Sequence, residues 1–273
     1  MRRAKGRDVR RLSLYVAMAV VVLVMLVPVL YMVSVASGQH NETGLIPSHF
    51  ALFSNVRSIL TNGTFPRFLL NSVILSGSVA LIDVCISGIA GYALGALRFP
   101  GRTALFVTII AILGVSPIVV MIPVYTMVRD VGWLNSYQGM IVPLMVSAFG
   151  VFLVRQFALG IPRAVINAAR LDGATEFRVF RRIALPFLRS ALLTLFLLDF
   201  LAQWDNLIWP LIVANSSSLW TVPIGLSEYS GEHGVAFGAL SAAALVSMVP
   251  PFILFLLLQR NYVRGLTFGG IDR

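Results

Sequence analysis

Ile161 to Pro186 reads IPRAVINAARLDGATEFRVFRRIALP and lies between two long apolar runs. Pro162 suits the first turn of a helix, where its missing N–H costs nothing. Arg163 to Leu171 then reads as a short helix. Asp172-Gly173 ends it, because Gly takes the left-handed conformation that closes helices and Asp can cap the next one. A second helix is expected over about Ala174 to Ala184. Phe177, Phe180 and Ile183 recur on one side of it, and Arg178, Arg181 and Arg182 on another.

The surroundings decide what kind of chain carries this hairpin. Of 273 residues, 58% are hydrophobic and 12% charged, and the mean hydropathy is +0.88. A soluble domain carries roughly 25% charged residues. The apolar residues fall into blocks long enough to cross a bilayer, and they run continuously rather than alternating, which argues against a β-barrel. The fold class is all-α integral membrane. Cys85 is the only cysteine, so no intrachain disulfide or cysteine-based metal cluster can form; its apolar run suggests packing. His40, His49 and His233 lie far apart in polar segments and form no metal motif.

In order, a basic start (Arg2, Arg3, Lys5, Arg7, Arg10, Arg11) precedes a first span at about 12–35. That run is longer than the about 7–15 apolar residues of a signal peptide, so a retained helix is expected. Ser37 to Arg67 is a polar loop. Further spans are expected at about 68–97, 103–128, 138–157, 186–210 and 238–258, with Pro117 and Pro123 kinking the third. The whole chain, 1–273, reads as a single transmembrane domain. Six spans place both termini on one side. Eighteen of the 21 basic residues fall on that side, and only Arg57, Arg67 and Arg129 on the other. The positive-inside rule makes that side cytoplasmic, and it accounts for the net charge of +10 without nucleic acid.

The Ile161–Pro186 hairpin is therefore cytoplasmic. One reading lays its second helix on the bilayer, Phe side in lipid and Arg side on anionic headgroups. The other makes it a knob for a protein partner's groove. The tight Asp172-Gly173 turn favours the knob, since a lipid-lying helix needs no reversal.

Asn167-Ala168-Ala169, Asp172-Gly173-Ala174 and the later Leu185-Pro186 resemble the EAA coupling loop of ABC importer permeases. Asn167 stands where that pattern has Glu, which removes an ion pair but keeps a hydrogen-bond acceptor. Arg98-Phe99-Pro100-Gly101-Arg102, Phe152-Leu153-Val154-Arg155-Gln156-Phe157, Trp209-Pro210-Leu211-Ile212-Val213, Pro223-Ile224-Gly225-Leu226 and Gly265-Leu266-Thr267 extend the likeness. Together they resemble the carbohydrate-uptake, MalG-like branch of the binding-protein-dependent importers. The resemblance implies a non-catalytic permease subunit of a bacterial plasma membrane that moves a sugar or oligosaccharide inward by alternating access. It implies as partners a second permease, two ATP-binding cassette subunits and an extracytoplasmic substrate-binding protein. It implies ATPase coupling by Asn167, Ala168, Ala169, Asp172, Gly173, Ala174, Phe177 and Arg178. ATP and Mg would sit on the partners, with no cofactor on this chain. The only Lys, Lys5, follows Ala4, so no Walker A loop exists here.

Polar residues inside the spans are the candidate substrate pathway. Ser72, Ser76, Asp83 and Ser87 share one face of the second span. Asp83 is costly at that depth; it is either an acceptor for substrate hydroxyls or a satisfied interhelix contact. Asp199, Gln203 and Asn206 share a face of the fifth span, with Asp199 roughly 20 Å along the helix from Pro186. Trp204 and Trp209 fit either a sugar platform or the interfacial aromatic belt. An importer of a polyol phosphate or phosphodiester is an alternative, although no span interior offers a cation. A proton-coupled carrier using Asp83 and Asp199 is another.

Overall fold

The structure, a computed structural model, describes residues 2–38, 50–61, 63–228 and 237–267. In chain order the helices are α1 (Arg2–Ser37), α2 (Leu52–Thr61), α3 (Phe65–Ala96), α4 (Arg102–Leu113), α5 (Pro117–Asp130), α6 (Tyr137–Ile141) and α7 (Ala148–Leu159). They continue as α8 (Arg163–Leu171), α9 (Glu176–Val179), α10 (Leu185–Trp204), α11 (Ile208–Val213), α12 (Val222–Glu228) and α13 (Phe237–Thr267). Among the described residues every regular element is helical. This is how apolar runs satisfy their backbone without water. His40, His49, Glu232, His233 and the last residues, 268–273, lie outside the described residues.

Ser13–Ser37, Phe65–Ala96, Glu176–Trp204 and Phe237–Gln259 are each long and apolar enough to cross a membrane. Two bent pairs qualify together, α4 with α5 at 100° and Tyr137–Leu144 with α7 at 43°. Among the described residues the count is four spans, or up to six if each bent pair is one.

Three of the expected spans differ from the helices found. The stretch 103–128 is two helices rather than one kinked helix. Proline disfavours helical backbone in the residue before it. Ser116 accordingly sits extended at φ −65°, ψ 129°, and α5 starts at Pro117 in a new direction. The stretch 138–157 breaks ahead of Ser147, whose hydroxyl caps α7 by accepting the Gly150 N–H at 3.1 Å. The stretch 186–210 starts earlier and stops sooner. Pro186 does not begin a separate helix: α9 runs through a π turn (Phe180–Ala184) into α10. The wide turn, closed by the Leu185 N–H on the Phe180 carbonyl, absorbs the donor that Pro186 lacks. At the other end Asp205 caps α10 and the chain restarts as α11.

The chain forms two compact units. The first comprises Met1–Pro66 and Leu226–Ser247. Its α1 is exposed along most of its apolar length, then buries Val35, Ala36 and Ser37. Asn55 of α2 ties down that end, donating to the Ala36 carbonyl at 2.8 Å and the Gly38 carbonyl at 3.1 Å. Ala242 and Ala243 are fully buried in the first part of α13.

The second unit comprises Arg67–Gly225 and Met248–Arg273. One of its cores joins Tyr92, Val154, Ile166, Val179, Leu188 and Leu195, so α3, α7, α8, α9 and α10 share it. Another joins Leu75, Val79, Met140, Trp209 and Val213. Where α3 meets α7, a Cβ on Gly91 would lie 2.6 Å from the Val154 Cβ, and one on Gly95 2.5 Å from the Ala158 Cβ. This is the close approach that small residues permit between membrane helices. Cys85, expected to pack inside, is exposed on α3.

Candidate functional site

The Ile161–Pro186 hairpin is built from local signals. α8 covers Arg163–Leu171, with Pro162 as its extended N-cap rather than its first helical residue. Asp172 closes α8 rather than standing at the next helix's N-cap, a position Thr175 occupies. Gly173 follows at φ 77°. The Gly173 N–H meets the Arg170 carbonyl at 3.0 Å, and the Ala174 N–H meets the Ala169 carbonyl at 3.0 Å. Those two bonds form a Schellman closure, which requires the left-handed residue.

One side of the hairpin is sewn into the core through Ile166, Val179 and the Tyr92–Phe180 ring pair, whose centroids are 5.2 Å apart. The other side is bare. Leu171 is 90% exposed and Phe177 72%. Phe177 was expected to share a face with Phe180 and Ile183. Val179, Phe180, Ile183 and Ala184 pack on the core, and Phe177 stays outside it. Asn167, Ala168, Asp172, Gly173 and Arg178 are exposed, while Ala169 and Ala174 are half-buried against the core. Arg170 and Glu176 bridge the two arms at 2.7 Å. That hydrogen bond holds the Arg170 guanidinium above its ordinary value. A cleft of about 420 Å³ opens beside Asn167, edged by Arg98, Arg163, Arg170 and Glu176.

The polar residues of the spans fall into two groups. Ser72, Ser76, Asp83 and Ser87 do share one face of α3, and all four are buried. Ser72 Oγ accepts the Val222 N–H at 2.8 Å. Asp83 Oδ1 accepts the Ser87 hydroxyl at 2.8 Å and the Ser147 N–H at 2.8 Å. Asp199 reaches across from α10 to within hydrogen-bonding distance of Asp83. Gln203 and Asn206 lie further along and are partly accessible. The Asn206 amide donates to Gln203 Oε1 at 3.0 Å, and its carbonyl accepts the Trp209 N–H at 3.3 Å, so it caps α11. Asn206 is the polar side of a cavity of about 320 Å³ lined by Pro117, Met121, Val124, Leu144 and Trp209. Trp204 and Trp209 are both buried, and the Trp209 indole donates to the Met140 carbonyl at 3.2 Å. They are core residues of this chain, and neither the belt nor a platform describes them.

Sequence reasoning passed over Asn71. It is 1% exposed, donates to the Ser218 and Trp220 carbonyls at 3.0 and 2.8 Å, and accepts the Tyr137 hydroxyl at 2.6 Å. It pins the loops at that end of α3. The signal available was an amide one residue before Ser72 in an apolar run. Asn71→Ala removes three part-buried hydrogen bonds, although the Ser218 carbonyl keeps Arg67 Nε at 2.7 Å, and a stability loss of about 2 kcal/mol is expected, read as a lower melting temperature of the purified protein.

Comparison with known proteins places this geometry. The family model described as "Binding-protein-dependent transport system inner membrane component" matches residues 84–268. The arabinooligosaccharides transport system permease protein AraQ of Bacillus subtilis (strain 168) is 34% identical over 220 residues, 80% of this chain and 78% of that protein. The sn-glycerol-3-phosphate transport system permease protein UgpE of Salmonella typhi is 34% identical over 223 residues, 79% of each. A solved bacterial ABC transporter involved in the import of the acidic polysaccharide alginate shares the fold. It has a TM-score of 0.81 at 20% identity, over 93% of this chain and 97% of that one. An alginate ABC transporter in complex with alginate pentasaccharide-bound periplasmic protein has a TM-score of 0.67 at 14% identity, over 92% and 94%. By the family match and by relatives aligned over most of its length, this chain belongs to the binding-protein-dependent transport system inner membrane components, the permease subunits of ABC importers.

Proposed function

We propose that the chain is a permease subunit moving a neutral sugar or oligosaccharide into the cytoplasm, with Ile161–Pro186 as its energy inlet. The whole chain then acts as one six-span domain with cytoplasmic termini, each bent pair counting as one span. The observation that carries the coupling reading is continuity. α9, the π turn and α10 are one unbroken helical path, Glu176–Trp204. A force on the exposed tip at Leu171 and Phe177 is therefore delivered along α10 toward Gln203. Two ATP-binding cassette subunits supply that force and hold ATP and Mg; a second permease completes the pathway, and an external binding protein delivers the solute. Alternating access by rocking of such rigid bundles is the general mechanism.

Asn206 and Gln203 carry the pathway reading best, because they are accessible and offer both donors and acceptors. Ser76, Asp83 and Asp199 meet a substrate only if α3 and α10 part. Arabinooligosaccharide transport in AraQ supports the sugar reading, and the equal similarity to UgpE supports a polyol phosphate. The cavity at Asn206 has no Arg or Lys in its lining, which favours a neutral solute.

The test is ATP hydrolysis by the assembled complex in liposomes. Sugar-loaded binding protein is expected to stimulate it; no stimulation by any sugar, with stimulation by glycerol phosphates, would overturn the substrate class. Leu171→Asp is expected to cut uptake at least about tenfold while leaving the melting temperature unchanged, because the side chain is 90% exposed. Unimpaired uptake by that variant would remove Leu171 from the docking surface.

A further inference from the structure

Two carboxyl groups meet deep in the second unit, on helices far apart in the chain. Asp83 of α3 is 1% exposed. Its Oδ1 is occupied by the Ser87 hydroxyl and the Ser147 N–H, both at 2.8 Å. Among the described residues its buried Oδ2 meets no donor, and neither does the Oδ2 of Asp199. The two side chains lie within hydrogen-bonding reach of one another. Gly150, in the first turn of α7, presses on the same point: a Cβ there would sit 2.6 Å from Asp83 Oδ2 and 2.5 Å from Ser87 Oγ. The remaining titratable side chains of α3, α7 and α10 are Arg67, Cys85, Tyr92, Arg155 and Arg189. Among the described residues, Asp83 is the charged group that acts on Asp199.

Ionised carboxylates only accept hydrogen bonds. Two of them facing each other with no donor between repel, and the repulsion is strongest where water is absent. The donor this geometry permits is a proton carried by one carboxyl, giving an O–H···O⁻ bond, the short and strong kind.

We propose that Asp83 and Asp199 share a single proton, and that the resulting bond is a staple seating α10 against α3 and α7. The two aspartates are then positioning residues rather than solute ligands. One carboxyl, Asp83, fixes three elements at once: α3 on which it rides, the N-cap of α7 through Ser147, and α10 through Asp199. Asp199 stands one turn before Gln203, so the staple sets where the accessible end of α10 lies. This inference goes beyond the coupling and solute readings and stands whichever solute is carried.

The experiment is infrared spectroscopy of the assembled complex, with aspartate isotope-labelled, together with uptake. Wild type is expected to show a protonated-carboxyl C=O band at neutral pH that shifts with the label. Asp199→Asn replaces the proton by a fixed amide donor and keeps the pair's charge at one carboxylate. Asp83→Asn does the same from the other side, its amide oxygen still accepting Ser87 and Ser147. Both variants are expected to lose the band while holding uptake within about twofold of wild type, since the bond and charge survive. Asp199→Leu has no donor and leaves Asp83 unpaired, so at least about a tenfold loss of uptake or of assembled complex is expected. A wild-type complex without the band, or a band unchanged in both Asn variants, overturns the shared proton. Loss of uptake in a folded, ATPase-competent Asp199→Asn complex overturns the positioning role and returns Asp199 to the solute. Sodium-dependent uptake that disappears in Asp199→Asn would put a cation where we place the proton.

Discussion

Gly173→Pro is expected to reduce uptake to background while the chain still reaches the membrane at wild-type level. Gly173 sits at φ 77°, and proline is locked near φ −65°. Proline also removes the N–H that closes α8 on the Arg170 carbonyl. The Schellman turn cannot form, and Leu171 can no longer be held beside Phe177. The spans have no part in that turn, so insertion is spared. Gly173→Ala separates strain from space. An added Cβ would meet nothing within 4 Å, leaving only the left-handed penalty of about 1–2 kcal/mol. Partial uptake is therefore expected for Ala and none for Pro, measured as labelled-solute accumulation against membrane-fraction abundance. Normal uptake by Gly173→Pro would sink the assignment of this hairpin as the energy inlet. Complete loss in both variants would mean that the turn tolerates no adjustment.

Which parts could be read in advance follows from the range over which each signal acts. The limits of α8 follow from Pro162 and Asp172-Gly173, all within a dozen residues, and local chemistry fixes them. The all-helical membrane class follows from run length alone. The broken third span was partly within reach: Pro117 disfavours helical backbone at Ser116, which is extended here, whereas Leu185 before Pro186 stays helical. Pro186 misled in the opposite sense. A proline after a charged stretch reads as a helix start, but the π turn just before it, Phe180–Ala184, lets the helix pass through. Phe180, the first residue of that turn, packs on Tyr92, a contact between residues 88 apart. The polar site was legible helix by helix and not across helices. Asp83 and Asp199 each stood out as expensive in a membrane, yet nothing in either segment indicates that they face one another. Trp204 and Trp209 carry an interfacial signature by type. Their burial comes from contacts the sequence does not show: Trp204 stacks on Phe200, and the Trp209 indole meets the Met140 carbonyl.

Gly91→Val is expected to cost about 3 kcal/mol or more and to deplete the folded permease from the membrane. Gly91-Tyr92-Ala93-Leu94-Gly95 places two glycines one turn apart on the face of α3 that meets α7. At Gly91 even a methyl group would lie 2.6 and 2.8 Å from the Val154 side chain and 2.9 Å from the Arg155 backbone nitrogen. A side chain could swing aside; the α7 backbone cannot, because α7 is held by α10 on one flank and by Arg155 stacked 3.5 Å over the Phe106 ring of α4 on the other. The helices must part, and Tyr92, Val154 and Ala158 leave a shared core. That core is the seat of the hairpin, so uptake is lost with the fold and not through coupling alone. Gly77→Ala is the control on the same helix. Its Cβ would meet nothing within 4 Å, and in a helix interior the change from glycine is neutral or favourable by up to about 1 kcal/mol. Melting of the detergent-purified complex distinguishes the two sites. A Gly91→Val protein that melts with wild type would mean that α3 and α7 are not in contact at Val154, and the packing that supports the hairpin would have to be sought elsewhere.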